Sequence, residues 1–208
     1  MATLKIWKTH TEVKIPQHQT TQSACFDIAY SNAGKGSYKG YTNMNKPFTR
    51  ELNGALSIGP GDRVLVPTGM IMDIPEGYSV RIHARSGTSL KQGLVLANAE
   101  GVIDADYVEE VFVLIHNISS NSITINPGER IAQGELVQTL DYTIEQAVTR
   151  PLPKSNRSGG FGSTGVITDV VTSSNMVVLN IDEPKIPDFV KRSEEIVKRG
   201  RGRPRKNG

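Results

Sequence analysis

The stretch RVLVPTGMIMDI, residues 63–74, begins the part of the chain that decides the fold. Further short runs rich in β-branched and aromatic residues follow it as far as about residue 140, each bounded by a turn signal. These turn signals are Gly59-Pro60-Gly61-Asp62, Pro75-Glu76-Gly77 and Asn126-Pro127-Gly128-Glu129. Their Pro and Gly residues fix backbone reversals, and such regular spacing is typical of an antiparallel β-barrel or jelly roll. The sequence therefore predicts an all-β domain.

One short helix is predicted inside this region, from Ser86 to Gln92. Ser86 is suited to capping its N-terminus, and Gly93 is suited to ending it. Upstream, residues 31–56 are polar, aperiodic and rich in Gly and Asn, which predicts an inserted loop or hairpin rather than core. We therefore expect a β-barrel core over residues 1–150.

The chain changes character after this core. Residues 151–165 form a candidate glycine-rich arm, residues 166–190 an extension, and residues 191–208 a basic tail. The tail contains eight Lys or Arg and two Glu, a net charge of +6, so residues 1–190 carry −3 out of the total of +3. A mildly acidic body with a basic tail predicts that any polyanion binds to the tail.

Composition bounds the class of protein. A length of 208 residues suits one domain with appendages, and a hydrophobic content of 37% is lean for a stand-alone core, which points to burial between subunits. The single Cys25 cannot form an intrachain disulfide, and residues 1–10 lack the apolar core of a signal peptide. We expect a reducing compartment and a cytoplasmic protein.

The histidines give no sign of a metal site in the sequence. They are widely separated, without a cysteine or carboxylate at ligand spacing: His10, His18, His83 and His116. We expect structural or surface histidines and no zinc site built from protein side chains.

Two segments in the β-rich region are candidates for chemistry. Arg85-Ser86-Gly87 offers a guanidinium fork, a hydroxyl and a backbone N–H at a helix start, which suits phosphate oxygens, although a plain surface turn is the alternative. Gly101-Val102-Ile103-Asp104 is interpreted as a β-hairpin whose turn exposes backbone donors and acceptors. Its alternative is a plain hairpin with a surface Asp.

A glycine-rich segment such as residues 157–165 is, by composition alone, more often a flexible linker than a site. Its cation, its aromatic ring and its hydroxyls are groups with which an arm ordered by a ligand could act as a lid: Arg157, Phe161, Ser163 and Thr164.

Five short segments occur in order between residues 24 and 165: Ala24-Cys25-Phe26-Asp27-Ile28, Arg85 to Leu90, Asn98 to Tyr107, Gly128 to Gln133 and Arg157 to Gly165. They resemble, in family order, the five motifs of the trimeric dUTPase family, with an insertion after the first. The resemblance implies a homotrimer of antiparallel β-barrels with a glycine-rich C-terminal arm. It also implies hydrolysis of dUTP to dUMP and pyrophosphate, which limits uracil in DNA and supplies dUMP for dTMP synthesis.

The resemblance assigns roles in the third motif. The uracil would be held, and a thymine methyl excluded, by four residues: Asn98, Gly101, Val102 and Ile103. Tyr107 would pack against deoxyribose and leave no room for a 2′-hydroxyl. Asp104 would be the general base, since hydrolysis of an anhydride at neutral pH needs an oriented, partly deprotonated water beside the α-phosphorus.

The other motifs would bind the phosphates. Ser86 would donate to the oxygen that bridges the α- and β-phosphates as charge builds there, beside contacts from Arg85 and Gly87. Gln133 would fix the attacking water or a phosphate oxygen. The arm would contribute Arg157, Phe161, Gly162, Ser163 and Thr164. It would reach a site formed by other subunits, so that each site draws on three chains.

The resemblance also implies Mg²⁺, held by the three phosphates and waters with little or no direct protein ligation. Asp27 would act from the outer shell by orienting Arg85 or a magnesium-bound water; the alternative is an ordinary Asp at a strand end.

The chain departs from the family pattern at four places: Cys25 for Gly, Ala84 for Pro, Val108-Glu109 for Arg-Gly, and Gly134-Glu135 for an apolar pair. None removes a catalytic group. We expect the changes at residues 108–109 and 134–135 to alter subunit contacts, the latter by making the centre of the trimer more polar.

Two rival functions share this fold. A dCTP deaminase would need a glutamate ten residues after Asp104, where this chain has Leu114, which cannot relay protons. A regulatory or DNA-binding protein without activity is made plausible by the basic tail, but the retained Asp104, Tyr107, Gln133 and fifth motif argue against it.

Residues 200–206, GRGRPRK, resemble an AT-hook, an element that enters the minor groove of A·T-rich DNA. Gly202 would let the backbone approach the groove floor, Pro204 would hold the chain extended, and Arg201 and Arg203 would project into the narrow, negative groove. The alternative is a solvated basic tail with weak, unspecific attraction to DNA.

Overall fold

The computed structural model describes residues 2–155 of the chain. Its regular elements lie in one compact unit, Met1–Glu145. Among the described residues there are thirteen strands and one helix: β1 (Lys5–Lys8), β2 (Phe26–Ala29), β3 (Ser37–Tyr41), β4 (Pro47–Glu51), β5 (Leu56–Ile58), β6 (Arg63–Pro67), β7 (Met70–Asp73), β8 (Tyr78–Ala84), α1 (Ser86–Gln92), β9 (Leu94–Leu96), β10 (Gly101–Ile103), β11 (Phe112–Asn117), β12 (Ile123–Ile125) and β13 (Arg130–Gln138). Within residues 2–155 no helix has the length and apolar character needed to cross a bilayer.

The strands form two larger sheets and two small ones, and every strand pair is antiparallel. One sheet has the order β10-β8-β13-β2, and the other has the order β4-β3-β6-β11-β9. Two-stranded sheets join β1 to β7 and β12 to β5. The prediction of an all-β antiparallel fold with one short helix is confirmed.

A single core cluster receives side chains from both larger sheets. In β6 and β11 alternate residues are buried, so that Val64, Val66, Val113 and Ile115 are at most 1% exposed, and Val80 of β8 faces the same cluster. Because successive side chains of a strand point to opposite faces, this pattern places one face of each sheet inside and leaves the other outside. Each such aliphatic side chain contributes roughly 1.5–3 kcal/mol by its burial.

The turns predicted from Pro and Gly are confirmed by backbone hydrogen bonds. These join Asp62 N to Gly59 O at 3.1 Å, Tyr78 N to Pro75 O at 3.1 Å, and Glu129 N to Asn126 O at 3.0 Å. The run over residues 63–74 forms two strands in different sheets, β6 and β7, which Thr68 and Gly69 separate.

Residues 31–56 contain a hairpin formed by β3 and β4, one of the two predicted alternatives. β3 also pairs with β6, so the hairpin extends the five-stranded sheet. Tyr38 and Leu52 are buried, and the Tyr38 hydroxyl donates to the Ser57 carbonyl at 2.8 Å. The expectation that this segment lies outside the core is therefore wrong for these side chains.

The helix α1 has the predicted bounds, and Gly93 ends it with a φ of 70°. This left-handed conformation favours glycine, which has no Cβ to clash. The predicted N-cap is wrong, because Arg85 occupies that position and no described side chain caps the first turn. Ser86 is instead the first helical residue and is exposed.

The third motif does not form the predicted hairpin. Among the described residues β10 pairs only with β8, whereas β9, which precedes it, pairs with β11 in the other sheet. A turn around Ala99, with a φ of 61°, carries the chain from one sheet to the other. β10 is thus an edge strand.

Candidate active site

Three residues that the resemblance places near the phosphates lie close together at one end of the four-stranded sheet. These phosphate-side residues are Asp27, Arg85 and Gln133. Gln133 of β13 is paired with Asp27 of β2, and Arg85 directly follows β8, the strand on the other side of β13. Asp27 Oδ1 accepts a hydrogen bond from Arg85 Nε at 2.9 Å. Register along the sheet therefore brings together residues that are far apart in the sequence.

A second arginine completes this ion pair and was not predicted as a site residue. Arg130 Nη1 donates to Asp27 Oδ2 at 3.0 Å, and Arg85 Nη1 donates to the Arg130 carbonyl at 3.2 Å. Asp27 and Arg85 are largely buried, with side-chain exposures of 14% and 23%, whereas Arg130 is 48% exposed. The only sequence signal for Arg130 is its place in the fourth motif, three residues before Gln133.

The pair leaves part of the Arg85 guanidinium available. Its Nε and Nη1 atoms are engaged, and Nη2 donates to no other described residue. A cavity of about 300 Å³ lies beside it, lined in part by Thr88 and Gly128, while Ser86 and Gly87 are exposed at the start of α1. This end of the sheet offers a fixed cation and a hydroxyl to an anion.

The third-motif residues lie on and after the edge strand β10. The backbone groups of β10 on the side away from β8 have no partner strand in the part of the chain that the structure describes. A Cβ added to Gly101 would lie 3.7 Å from Asn98 Nδ2, so the Asn98 amide stands beside this strand. Tyr107 donates its hydroxyl to the Glu110 carbonyl at 3.0 Å and keeps 40% of its surface exposed. An unpaired strand edge of this kind can bind a flat base through hydrogen bonds from its main-chain N–H and C=O groups.

Within one chain, the phosphate-side residues lie apart from the third-motif residues. Ile103, which precedes Asp104, pairs with Val80 near the start of β8, whereas Arg85 follows the end of that strand. At the usual rise of a strand this separation is roughly 17 Å. Asp104 and Arg85 of the same chain therefore lie near opposite ends of β8.

The remaining predicted site residues lie outside the described residues 2–155. In the arm they are Arg157, Phe161, Gly162, Ser163 and Thr164, and in the tail they are Arg201, Gly202, Arg203 and Pro204.

The sequence shows no metal-ligand spacing around the histidines, but the fold brings His83 close to a cysteine and a carboxylate. The ligand atoms of Cys25, His83 and Glu135 all lie within 4.8 Å of one another. Burial raises the pKa of the Cys25 thiol above its usual value, and the negative charges of Glu135 and Asp27 act in the same direction. These residues are more than 50 positions apart in the sequence, so their spacing gave no signal.

A larger cavity, of about 870 Å³, lies against the five-stranded sheet and is lined by Tyr41, Phe48, Arg63 and Leu65, among others. It contains none of the predicted site residues and no carboxylate. Chemistry therefore favours the smaller cavity beside Arg85 as part of the site.

The chain is similar in sequence to known proteins. A family model described as dUTPase matches residues 52–165. The deoxyuridine 5'-triphosphate nucleotidohydrolase of Roseobacter denitrificans is 36% identical over 156 residues, which cover 74% of this chain and 89% of the relative. That of Bdellovibrio bacteriovorus is 40% identical over 152 residues, which cover 73% and 87%.

Solved structures are similar as well. The dUTPase from Streptococcus mutans has a TM-score of 0.54 at 25% identity and covers 67% of this chain and 98% of its own. The Staphylococcus bacteriophage 80alpha dUTPase with dUPNHPP has a TM-score of 0.62 at 23% identity and covers 79% and 99%. The second likeness bears on the fold alone.

Proposed function

This chain belongs to the dUTPase family and is a dUTP diphosphatase, and we propose that a water activated by Asp104 attacks the α-phosphorus of dUTP to give dUMP and pyrophosphate. The observation that carries the proposal is the pairing of Asp27 with Gln133 on neighbouring strands and the hydrogen bond from Arg85 to Asp27, beside an exposed Ser86. This group can bind a triphosphate, and it supplies donors to the oxygen that leaves.

In the proposed step the water loses its proton to the Asp104 carboxylate as its oxygen bonds to the α-phosphorus. The bond from that phosphorus to the bridging oxygen breaks, and the electron pair leaves with pyrophosphate. Ser86 donates to the bridging oxygen, where negative charge builds, and Gln133 holds the attacking water. Arg85, fixed by Asp27, binds a phosphate oxygen through its free edge.

The uracil is proposed to bind along the free edge of β10, with Asn98 beside it and Tyr107 against the sugar. Main-chain groups at fixed positions leave no room for a thymine methyl, and a ring against the sugar disfavours a 2′-hydroxyl. The unpaired edge of β10 and the exposed ring of Tyr107 support this assignment.

Mg²⁺ is proposed as the cofactor, and the donor set of the phosphate-side group fits an ion that the protein does not ligate directly. Both carboxylate oxygens of Asp27 are already engaged, by Arg85 and by Arg130. An ion carried by the triphosphate and its waters would neutralise phosphate charge there. Asp27 then acts through Arg85.

A complete site is proposed to form between copies of the chain in a homotrimer. The placing of Asp104 and Arg85 near opposite ends of β8 in one chain supports this, because a second copy can bring Asp104 to the phosphate. Exposed apolar side chains at alternate positions after β13 support it too: Leu140, Tyr142 and Ile144 are 78–87% exposed. Such a row favours a strand that a neighbouring copy covers.

Two further proposals concern the location of the protein in the cell and the binding of DNA by its basic tail. A cytoplasmic location is supported by the single cysteine, which suits a reducing compartment. Binding of A·T-rich DNA by Arg201, Gly202, Arg203 and Pro204 is supported by their resemblance to an AT-hook, and it would concentrate the enzyme near DNA without a role in catalysis.

The proposed reaction is tested by incubating the protein and Mg²⁺ with dUTP, dTTP, dCTP and UTP separately while pyrophosphate and nucleotide products are measured. We expect dUMP from dUTP and little product from the others. Tyr107→Ala should raise the use of UTP relative to dUTP. Formation of dUTP from dCTP would instead identify a deaminase, although Leu114 on β11 has an aliphatic side chain that cannot relay a proton. Equal hydrolysis of dTTP and dUTP would contradict the proposal that uracil binds along the free edge of β10.

A further inference from the structure

Three metal-ligating side chains meet on the outward face of the four-stranded sheet. His83 lies on β8 and Glu135 on β13, where Gln133 pairs with His83, so the two side chains are diagonal neighbours on one face. Cys25 directly precedes β2, the strand on the other side of β13. Their ligand atoms lie within 4.8 Å of one another, and all three residues are partly buried.

We propose that Cys25, His83 and Glu135 bind a transition-metal ion of the zinc type. Thiolate, imidazole and carboxylate are the donors that zinc takes in proteins, and three of them leave a fourth position for water. A tetrahedral ion needs its ligand atoms about 3.5 Å apart, so side-chain rotations of about 1 Å close the site. Mg²⁺ prefers oxygen ligands alone, which separates this site from the proposed triphosphate-bound ion.

A fourth residue, Glu100, lies beside the imidazole on the side away from Glu135. His83 Nδ1 lies 3.6 Å from Glu100 Oε1, and Nε2 lies 3.5 Å from Glu135 Oε2. Glu100, itself paired with Arg81 at 3.3 Å, is placed to keep a proton on Nδ1 and leave the Nε2 lone pair for the ion. A carboxylate behind a ligating histidine is a recurring feature of metal sites.

Binding of an ion changes the charge of the cluster. Coordination replaces the proton of the Cys25 thiol, which leaves to solvent, and the thiolate bonds to the metal. The ion also offsets the two carboxylates that flank His83.

The cluster lies one step along the same strands as the phosphate-side residues. Each ligand is two positions from one of them: Cys25 from Asp27, His83 from Arg85, and Glu135 from Gln133. Two residues of a strand span about 7 Å. A bound ion would therefore tie together the three strand segments that carry the phosphate-side residues. The inference stands on this geometry and does not depend on the proposed reaction.

The test is a titration of the full-length protein with Co²⁺ in the absence of nucleotide. Cys25 is the only cysteine in the chain, so a sulfur-to-cobalt charge-transfer band in the near ultraviolet can come from no other residue. We expect that band with one Co²⁺ per chain, its loss on addition of Zn²⁺, and no effect of Mg²⁺. Cys25→Ser should abolish the band, with Cys25→Ala as a second version.

Ligand variants make the test specific. His83→Gln and Glu135→Gln should each weaken Co²⁺ binding by at least about 10-fold, and Glu100→Gln by about 10- to 100-fold. His116→Gln, a histidine of the other sheet, is the matched control and should bind as the unaltered protein does. Circular dichroism checks that each variant is folded. Absence of the band, or a band whose affinity is unchanged in both His83→Gln and Glu135→Gln, would overturn the three-ligand site.

Discussion

Asp104 is the side chain on which the proposed chemistry depends most. It follows the edge strand β10 and is exposed in the single chain, as a base that acts on another subunit's substrate must be. Replacing it by Asn removes the proton acceptor and keeps the shape. We expect Asp104→Asn to leave binding of dUTP largely intact and to lower kcat by about 10²- to 10⁴-fold, measured by steady-state kinetics and by calorimetry with a non-hydrolysable analogue.

Asp106→Asn is the matched control, because Asp106 is also exposed and lies two residues further along the same segment. It should have near-normal kcat. If Asp104→Asn itself turns over at the normal rate, Asp104 is not the base.

Asp27 tests the positioning of Arg85. Its carboxylate accepts from both Arg85 and Arg130, so Asp27→Asn removes the negative charge that holds two guanidinium groups in place. We expect kcat/KM for dUTP to fall by roughly 10- to 100-fold, the value of a charge-assisted hydrogen bond or two.

Arg130→Ala should cost less than Asp27→Asn, because Arg130 is half exposed and solvent screens its pair with Asp27. The same kinetic assay measures both variants. A larger effect of Arg130→Ala would show that Arg130 itself contacts the substrate.

Individual residues were predictable only where a motif names them. The sequence indicated Asp27, Arg85 and Gln133 through their motifs, and the structure places them together. It gave no sign of the contacts of Arg130 with Asp27 or of His83 with Glu135, because strand register brings residues from distant parts of the chain into contact. Spacing along the chain carries no information about such pairs.

Among the elements, those set by local chemistry were predicted best. The Pro-Gly turns and the end of α1 at Gly93 follow from backbone conformations that few other residues adopt. The hairpin predicted for residues 101–104 is wrong, since the short run Gly101-Val102-Ile103 does not indicate which strand it will pair with. Because residues 31–56 are polar in composition, the sequence likewise did not predict the burial of Tyr38.

The glycine-rich arm is proposed to close over a site whose core folds without it. The strands and helix of the compact unit all end before residue 146. We expect deletion of residues 155–165 to remove most dUTP hydrolysis and to leave the oligomeric state unchanged, measured by kinetics and by sedimentation. Monomers after the deletion would show that the segment belongs to the subunit interface and is not a lid.

The basic tail is proposed to act independently of catalysis. Truncation after residue 190 should abolish binding to A·T-rich duplex DNA and preserve dUTP hydrolysis. For the intact protein, affinity for DNA should fall with salt at a log–log slope of about −0.9 per phosphate contacted. If duplexes with only G·C pairs bind as tightly as A·T-rich duplexes, the tail attracts DNA only through its charge. If DNA binding is unchanged after truncation, the tail is not the DNA-binding site.

We propose that each copy of the folded chain carries only part of an active site. Its phosphate-side residues and Asp104 lie near opposite ends of β8, and its lean apolar content agrees with burial between subunits. Each substrate is then bound by Arg85 of one chain and attacked by a water that Asp104 of another chain activates.

Mixing two inactive variants tests this arrangement most directly. Asp104→Asn and Arg85→Ala, each tagged differently and each inactive alone, are unfolded and refolded together, and dUTP hydrolysis is measured in the mixed oligomers. With a site shared between chains, random assembly gives about one quarter of sites an intact Asp104 and an intact Arg85, and that fraction of wild-type activity returns. If the mixed oligomers form and remain as inactive as the separate variants, both residues serve one chain's own site and the account is contradicted.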